Sequence, residues 1–562
     1  MNPAPRGSKM IAPASTLERG ILDLWKRVRP DDAFAYGIEE CAGHVFVPTE
    51  ANVRRAVRRI DSLTARTRDP TARKFLRAMR KKLLLPEPAA VPEGLVGAYF
   101  THMVKEGVDP AHARDLAIDG KKALDADLRR WRSKRWPPGM RALVVLACQG
   151  LEEVLDTVAR EARGTAAENA VDDLRASLAA YRSFFDLRGF RPEGTFDEIF
   201  DALRRTGAEL GRSRGYARAL RDLWDYRESP REVEAAGLRM LRRELPRFRR
   251  VVEDLAAELG CAPTAEAVGD ALHRARGLRK DEILPFLTGL RDATRPVAHK
   301  HFVDINPDHA MEIVETPAYL ANMTPSGAAF SLDTLTDHSR EIFLATTDER
   351  SAGRPAPAEL LDLLVHEEYG HCVHGSNSTR GYRAATGLLD VLNGPSVCVS
   401  EGLAFQMEID FLPILQDVAA GKLRGPEESA FVEFLRAWGG ADRIAKDYEF
   451  DALRARIVRF LRVVGDARIN SGRQDLVAFV DWAHRRTGLE RSTIYYNLFP
   501  AHQVLGPGYA STYAIIGERI RELRATALRR GKTLRDFYGV ATSLGWPAKS
   551  VFESKLESWV RS

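Results

Sequence analysis

From about residue 15 to 295, apolar side chains recur at spacings of three and four, as in DDLRASLAAYRSFF (172–185) and LRRELPRFRRVVEDLAAELG (241–260). That is the helix period, so each segment buries one stripe and turns Arg, Lys and Glu to water. Proline and glycine punctuate the segments, and no fixed repeat length emerges, so a long helical array is expected rather than a solenoid. The texture changes near 300. HFVDINPDHAMEIVETPAYLANMTPSGAAFSLDTL (301–335) and REIFLATT (340–347) mix β-branched and aromatic residues with Pro, Gly and Asn, which predicts a few short strands. Helices return after Pro357. The expected fold class is mainly α with a small β-sheet. Its expected divisions are a flexible N-terminus (1–18), a helical lobe (19–295) and a catalytic lobe (296–562) with strands at about 300–346.

Composition narrows the function classes. The net charge of +6 is the small difference between 84 basic and 78 acidic side chains, which does not by itself demand an acidic partner. RKFLRAMRKKLLL (73–85) and LRRWRSKRW (128–136) place their cations at helical spacing, so they read as solvated faces and no nucleic-acid partner is expected. Gly531-Lys532-Thr533 follows a helical run and lacks the earlier glycine of a phosphate loop. Five scattered cysteines without C-x-x-C pairing read as reduced thiols. The N-terminus has no apolar run of signal-peptide length, and no stretch approaches about 18 apolar residues. A soluble, cytoplasmic chain with no membrane partner is expected.

The chemistry concentrates in VHEEYGHCVHG (365–375). In H-E-x-x-H the histidines are four apart and lie about 40° from each other around a helix, so both reach one ion. His366 and His371 are five apart, which on a regular helix separates them by roughly 140°. A single widened π-type turn restores the facing, and Gly370 is the residue expected to take up the altered backbone. Glu367 then lies where it can accept a proton from a metal-bound water. Asp362, one turn before His366, is a candidate for orienting it; the alternative is a solvent-facing Asp. His374 or Cys372 are alternative ligands, but His371 with His374 leaves Glu367 without a neighbouring metal.

A catalytic zinc normally takes a third protein ligand and keeps one position open. The candidate lies in GPSVCVSEGLAFQMEID (394–410), where Pro395 and Ser396 mark a helix start. Glu401 and Glu408 are seven apart, hence on one face. Two carboxylates on the apolar side of a helix are costly to bury without a cation. A metal ligated by Glu401, with Glu408 supporting a ligand histidine, removes that cost.

These residues carry a family resemblance. HEEYGH has the one-residue expansion of the dipeptidyl peptidase III motif, and GHCVH resembles the G-H-x-x-H of thimet-type oligopeptidases. The broadest similarity is to a bacterial metallopeptidase-like family marked by H-E-x-Y-P-G-H and E-G-W-A-x-Y-x-E. Here the second motif reads EGLAFQME, keeping Glu401, Gly402, Ala404 and Glu408 in register. The chain departs from the family at the missing Pro before Gly370 and at Leu403 in place of Trp. FPAHQVLGPGYASTY (499–513) is similar to the thimet-type G-Y-x-x-x-Y segment, and the resemblance covers roughly 175–560. It implies a two-lobed, gluzincin-like helical peptidase with a small sheet beside the active-site helix. It also implies that Tyr509 and Tyr513 face the metal and donate to the oxyanion, with His502 assisting. Independently of the family, the two tyrosines are one helical turn apart and can converge on one point, although such a pair is also common in cores.

The expected activity is hydrolysis of short peptides, oligopeptidase- or carboxypeptidase-like, by one Zn²⁺ held by His366, His371 and Glu401, with Glu367 as general base. Residues 311–327 could supply an edge strand for substrate, or form an ordinary hairpin. Arg380 and Arg383 are candidates for a terminal carboxylate. A non-peptidase amide hydrolase on the same site, a metal-free structural homologue, and a nucleic-acid binder remain open alternatives.

Overall fold

Polar residues that cannot continue an apolar stripe start many of the helices. Ser15, Thr49, Asp69, Asp109 and Ser229 each stand one position before a helix and accept backbone N–H groups of its first turn. Such a cap is worth about 1 kcal/mol, because those donors otherwise have no partner. At Ser229 the exchange is reciprocal: its hydroxyl accepts from Glu232 N, while the Glu232 carboxylate accepts from Ser229 N at 2.7 Å. The computed structural model describes residues 13–206, 215–318, 320, 327–336, 339–347, 354–379, 387–392, 397–499 and 505–562.

The described chain is mainly α-helical with one three-stranded sheet, β1 (Met311–Glu315), β2 (Gly327–Leu332) and β3 (Arg340–Ala345), in the order β1-β3-β2. β3 is central because Ile342, Phe343, Leu344 and Ala345 are all buried, leaving it no polar face for an edge. It pairs in parallel with β1 (Ile313 opposite Phe343) and antiparallel with β2 (Ala329 opposite Phe343). β1 and β2 are therefore both edges.

The expected division at residue 295 does not separate two cores. Helix Lys280–His301 runs straight through it, and the larger buried cluster takes residues from Ala89 to Val560. A smaller cluster joins Ile21, Trp25, Phe34, Ile60 and Phe75 to Leu335, Leu388 and Leu389 from the second half. Helical periodicity marks which stripe is buried but not what buries it, so no sequence pattern could place this boundary. One tie across it is the bidentate pair of Arg456, 1% exposed, with Glu244 on helix Pro230–Leu259. Removing one partner of such a pair costs about 3–5 kcal/mol.

Two sequence features resolve into packing. Trp131 is buried against Trp136, with the cations of Arg130 and Lys134 each 4.3 Å from its ring centroid. Thr533 caps helix Leu534–Ala541, and Lys532 lies over the Trp559 ring. Among the described residues, no helix is long and apolar enough to cross a membrane.

Candidate active site

The backbone from Val365 to Cys372 is a π-helix, entered from helix Pro357–Leu364 and left through helix Val373–Thr379. The widened turn brings His366 Nε2 and His371 Nε2 to 3.2 Å despite their five-residue spacing. Its other face is anchored. Tyr369 is fully buried beside Phe302 and Phe411, and the buried Glu368 carboxylate accepts from Arg291 Nε at 3.2 Å. Past the turn, Asn377 donates to Asp304 O and Ser378 to Thr542 O, both at 2.8 Å.

Gly370 serves this turn differently from expectation. Its φ is not among the positive ones; a Cβ there would lie 2.3 Å from Ala404 Cβ, so glycine is required for close helix approach. The neighbour is helix Val397–Ala419, which carries Glu401. A second tight crossing lies on that helix's other side, where a Cβ on Gly402 would lie 2.5 Å from Ile516 Cβ. These two approaches press Glu401 between the π-turn and helix Tyr509–Arg529.

Glu401 Oε2 lies 3.7 Å from Nε2 of both His366 and His371. One ligand atom from each residue fits within a 4.8 Å span, so the three can hold one metal ion. Hydrogen bonds fix which nitrogen faces it. His366 Nδ1 is 2.6 Å from Glu408 Oε1, and His371 Nδ1 is 2.8 Å from Ser400 Oγ, which leaves both Nε2 atoms toward Glu401. Arg459 on helix Ala441–Asn470 donates to both Glu408 oxygens, at 3.0 and 2.9 Å, and Tyr448 donates to Glu408 O.

Charge in the site follows from burial and these pairings. Burial opposes ionisation of Glu401, yet His366 and His371 outweigh it and hold its pKa at about 2. Burial also opposes charge on His366, but Glu401 and Glu408 raise it to about 10, while burial pulls His371 down to about 4. Glu367 is pushed up to about 7 by burial, against the pull of His366 and of the Ala329 N–H that donates to it at 2.9 Å. A carboxyl poised near neutrality is suited to taking and returning a proton.

Asp362 lies beside Glu408 and Tyr448, and burial together with the Glu408 charge lifts it to about 8. Tyr509 OH donates to Glu401 Oε1 at 3.4 Å and lies 3.3 Å from Tyr513 OH. His374 is turned away, its Nε2 2.9 Å from Gly545 O, and Cys372 is buried near Glu341. His502, Arg380, Arg383, Pro395 and Ser396 lie outside the described residues. The sheet edge that touches the site is β2, through Ala329, whereas the segment singled out in the sequence contains β1.

Four contributors lie beyond what sequence reasoning points to. Ser400 immediately precedes Glu401 in the same motif; Ala329 acts through its backbone and leaves no residue signal. Arg459 and Arg462 interrupt the apolar run IVRFLRVV (457–464), where a cation on a buried face calls for an anion. Arg462 Cζ sits 5.5 Å from the Tyr513 ring centroid. Burial and the Arg459 charge lower its pKa to about 10, against Tyr513, Tyr509 and Glu401.

No family model and no curated protein matches the chain. Among solved structures it is similar over nearly its whole length to two bacterial proteins. One is described as a "putative lipoprotein" from Colwellia psychrerythraea (15% identity, TM-score 0.59, 97% of each chain covered). The other is described as a "putative lipoprotein of unknown function" from Shewanella oneidensis (14% identity, TM-score 0.62, 96% of this chain and 98% of that one). At such identity the likeness shows the fold alone.

Proposed function

We propose that the chain is a zinc-dependent hydrolase of peptide bonds in short peptides, with a gluzincin-like set of two histidines and a glutamate. The observation that carries this reading is the approach of His366 Nε2, His371 Nε2 and Glu401 Oε2, made possible by the π-turn, with Glu367 beside them. The donor set is two imidazoles and a carboxylate, each histidine fixed through its other nitrogen, which suits zinc with an open position. Bound there, Zn²⁺ supplies Lewis acidity that polarises a carbonyl and acidifies a water.

The chain's own groups then divide the remaining work. Glu367 accepts a proton from water, whose oxygen adds to the peptide carbonyl carbon, and returns that proton to the nitrogen as the C–N bond breaks. Tyr509 and Tyr513 can donate hydrogen bonds to the carbonyl oxygen as negative charge develops on it. The backbone of β2 beside Glu367 is the candidate edge for seating an extended peptide. Five free thiols support a reducing, cytoplasmic setting.

The test is metal analysis joined to cleavage of a mixed-peptide pool by the wild type and Glu367→Gln. Stoichiometric zinc in both, with turnover in the wild type alone and its loss to a chelator, is expected. Equal turnover in both proteins rejects Glu367 as the base, and absence of zinc binding rejects the proposal.

A further inference from the structure

Arg456, Arg459 and Arg462 follow one another at three-residue intervals on helix Ala441–Asn470, so they form a stripe along one side of it. The first two are neutralised by bidentate carboxylates, Glu244 for Arg456 and Glu408 for Arg459. Arg462 differs in its partner. All three keep one buried nitrogen without a hydrogen-bond acceptor, but Arg462 Nη2 donates to the neutral Asn497 Oδ1 at 2.9 Å, and Arg462 has no carboxylate partner among the described residues. A guanidinium drawn partly out of water without a bound counter-anion is costly, and the Tyr513 ring and Asn497 amide offset that cost only in part.

Its position gives the missing anion an address. Arg462 stacks on the ring of Tyr513, whose hydroxyl meets Tyr509 OH, which in turn donates to Glu401. Arg459 Cζ lies 5.7 Å from the same ring centroid, but its charge is already taken by Glu408. The residue remains partly exposed. A tyrosine ring and one extended residue or two are of similar length, at about 3.3–3.6 Å per residue.

We infer that Arg462 binds the terminal carboxylate of the substrate, and that the enzyme acts on peptides with a free C-terminus, cutting one or two residues from that end. This rests on the hydrolase reading for the cleavage but not for the binding. A guanidinium fork presents two parallel donors to a carboxylate, which an amide cannot match. The charge-assisted pair is expected to favour the acid over the amide roughly ten- to hundredfold.

The experiment uses N-acetylated mixed-sequence pentapeptides, prepared once as C-terminal acids and once as amides, with zinc-loaded wild type, Arg462→Met and Arg462→Lys. Cleavage is read by mass spectrometry, and binding by the shift in melting temperature. Unchanged zinc content and melting temperature of the unliganded variants establish that they are folded. The wild type should cleave and bind the acids at least tenfold better than the amides, Arg462→Met should lose that preference, and Arg462→Lys should recover part of it. Equal handling of acids and amides by the wild type, or a preference that survives Arg462→Met, overturns the inference even if peptides are cleaved. Binding of acids that depends on Arg462 without any cleavage upholds the inference and removes the hydrolase reading instead. Failure to bind or cleave either pool sinks both.

Discussion

Arg459 grips both carboxylate oxygens of Glu408, at 3.0 and 2.9 Å, and Glu408 in turn faces His366 Nδ1 at 2.6 Å. The arginine thereby sets the aim of His366, a proposed metal ligand that it never touches. Arg459→Met is expected to weaken zinc binding about 10- to 100-fold and to destabilise the fold by about 3–5 kcal/mol, because Glu408 is left charged and buried. Arg459→Met combined with Glu408→Gln should recover much of the stability but not the affinity. Chelator competition and denaturant titration read the two effects separately; unchanged affinity in both variants would refute the role.

Gly370→Ala drives a methyl group to within 2.3 Å of Ala404 Cβ. Overpacking of this kind costs about 1–3 kcal/mol, and here it also pushes Glu401 from the histidines. Ala404→Gly removes the nearest atom but leaves Ala404 Cα 2.6 Å from the new Cβ, so the double variant should recover only part of the melting temperature that Gly370→Ala loses. Additive losses would mean that the two residues are not the point of contact.

The hydroxyls of Tyr509 and Tyr513 meet at 3.3 Å. If they stabilise developing oxyanion charge, Tyr513→Phe and Tyr509→Phe should each lower kcat by about 10- to 1000-fold with little change in KM. Steady-state kinetics on one cleaved peptide decides it: a rise in KM at constant kcat would assign them to ground-state binding.

Away from the site, Glu518 is clasped by Arg243 and Arg521. Burial opposes its charge, but the two guanidinium groups outweigh this and hold its pKa at about 2, below the ordinary 4.5. A depressed carboxyl contributes stability that is complete above about 4.5 and vanishes as pH falls toward about 2. Partial solvent screening limits the contribution to about 1–2 kcal/mol. Urea midpoints at pH 6 and pH 3 should fall further for the wild type than for Glu518→Gln; parallel falls would count against the pairing.

The late histidine was legible because arithmetic on the helix repeat leaves only one remedy for a five-residue spacing, and the backbone adopts it. Glu401 and Glu408 were legible for the same reason, seven residues being nearly two turns. What periodicity does not carry is the identity of the neighbour. At Gly370 the sequence points only to backbone freedom, because Ala404 is thirty-four positions away and nothing local announces the contact. Arg459 and Arg462 look like surface cations until the helix opposite them is known. Nor does the change in residue texture near 300 mark the end of a core, since one buried cluster takes residues from both sides of it.

The extra residue in the π-turn also works as a ratchet. Deleting one residue between His366 and His371 would restore the commoner spacing on paper, but it would swing everything downstream by about 100°. Asn377 and Ser378 would then be torn from Asp304 and Thr542. The turn cannot shed this residue in one step, because the later part of the helix is fitted to its present azimuth.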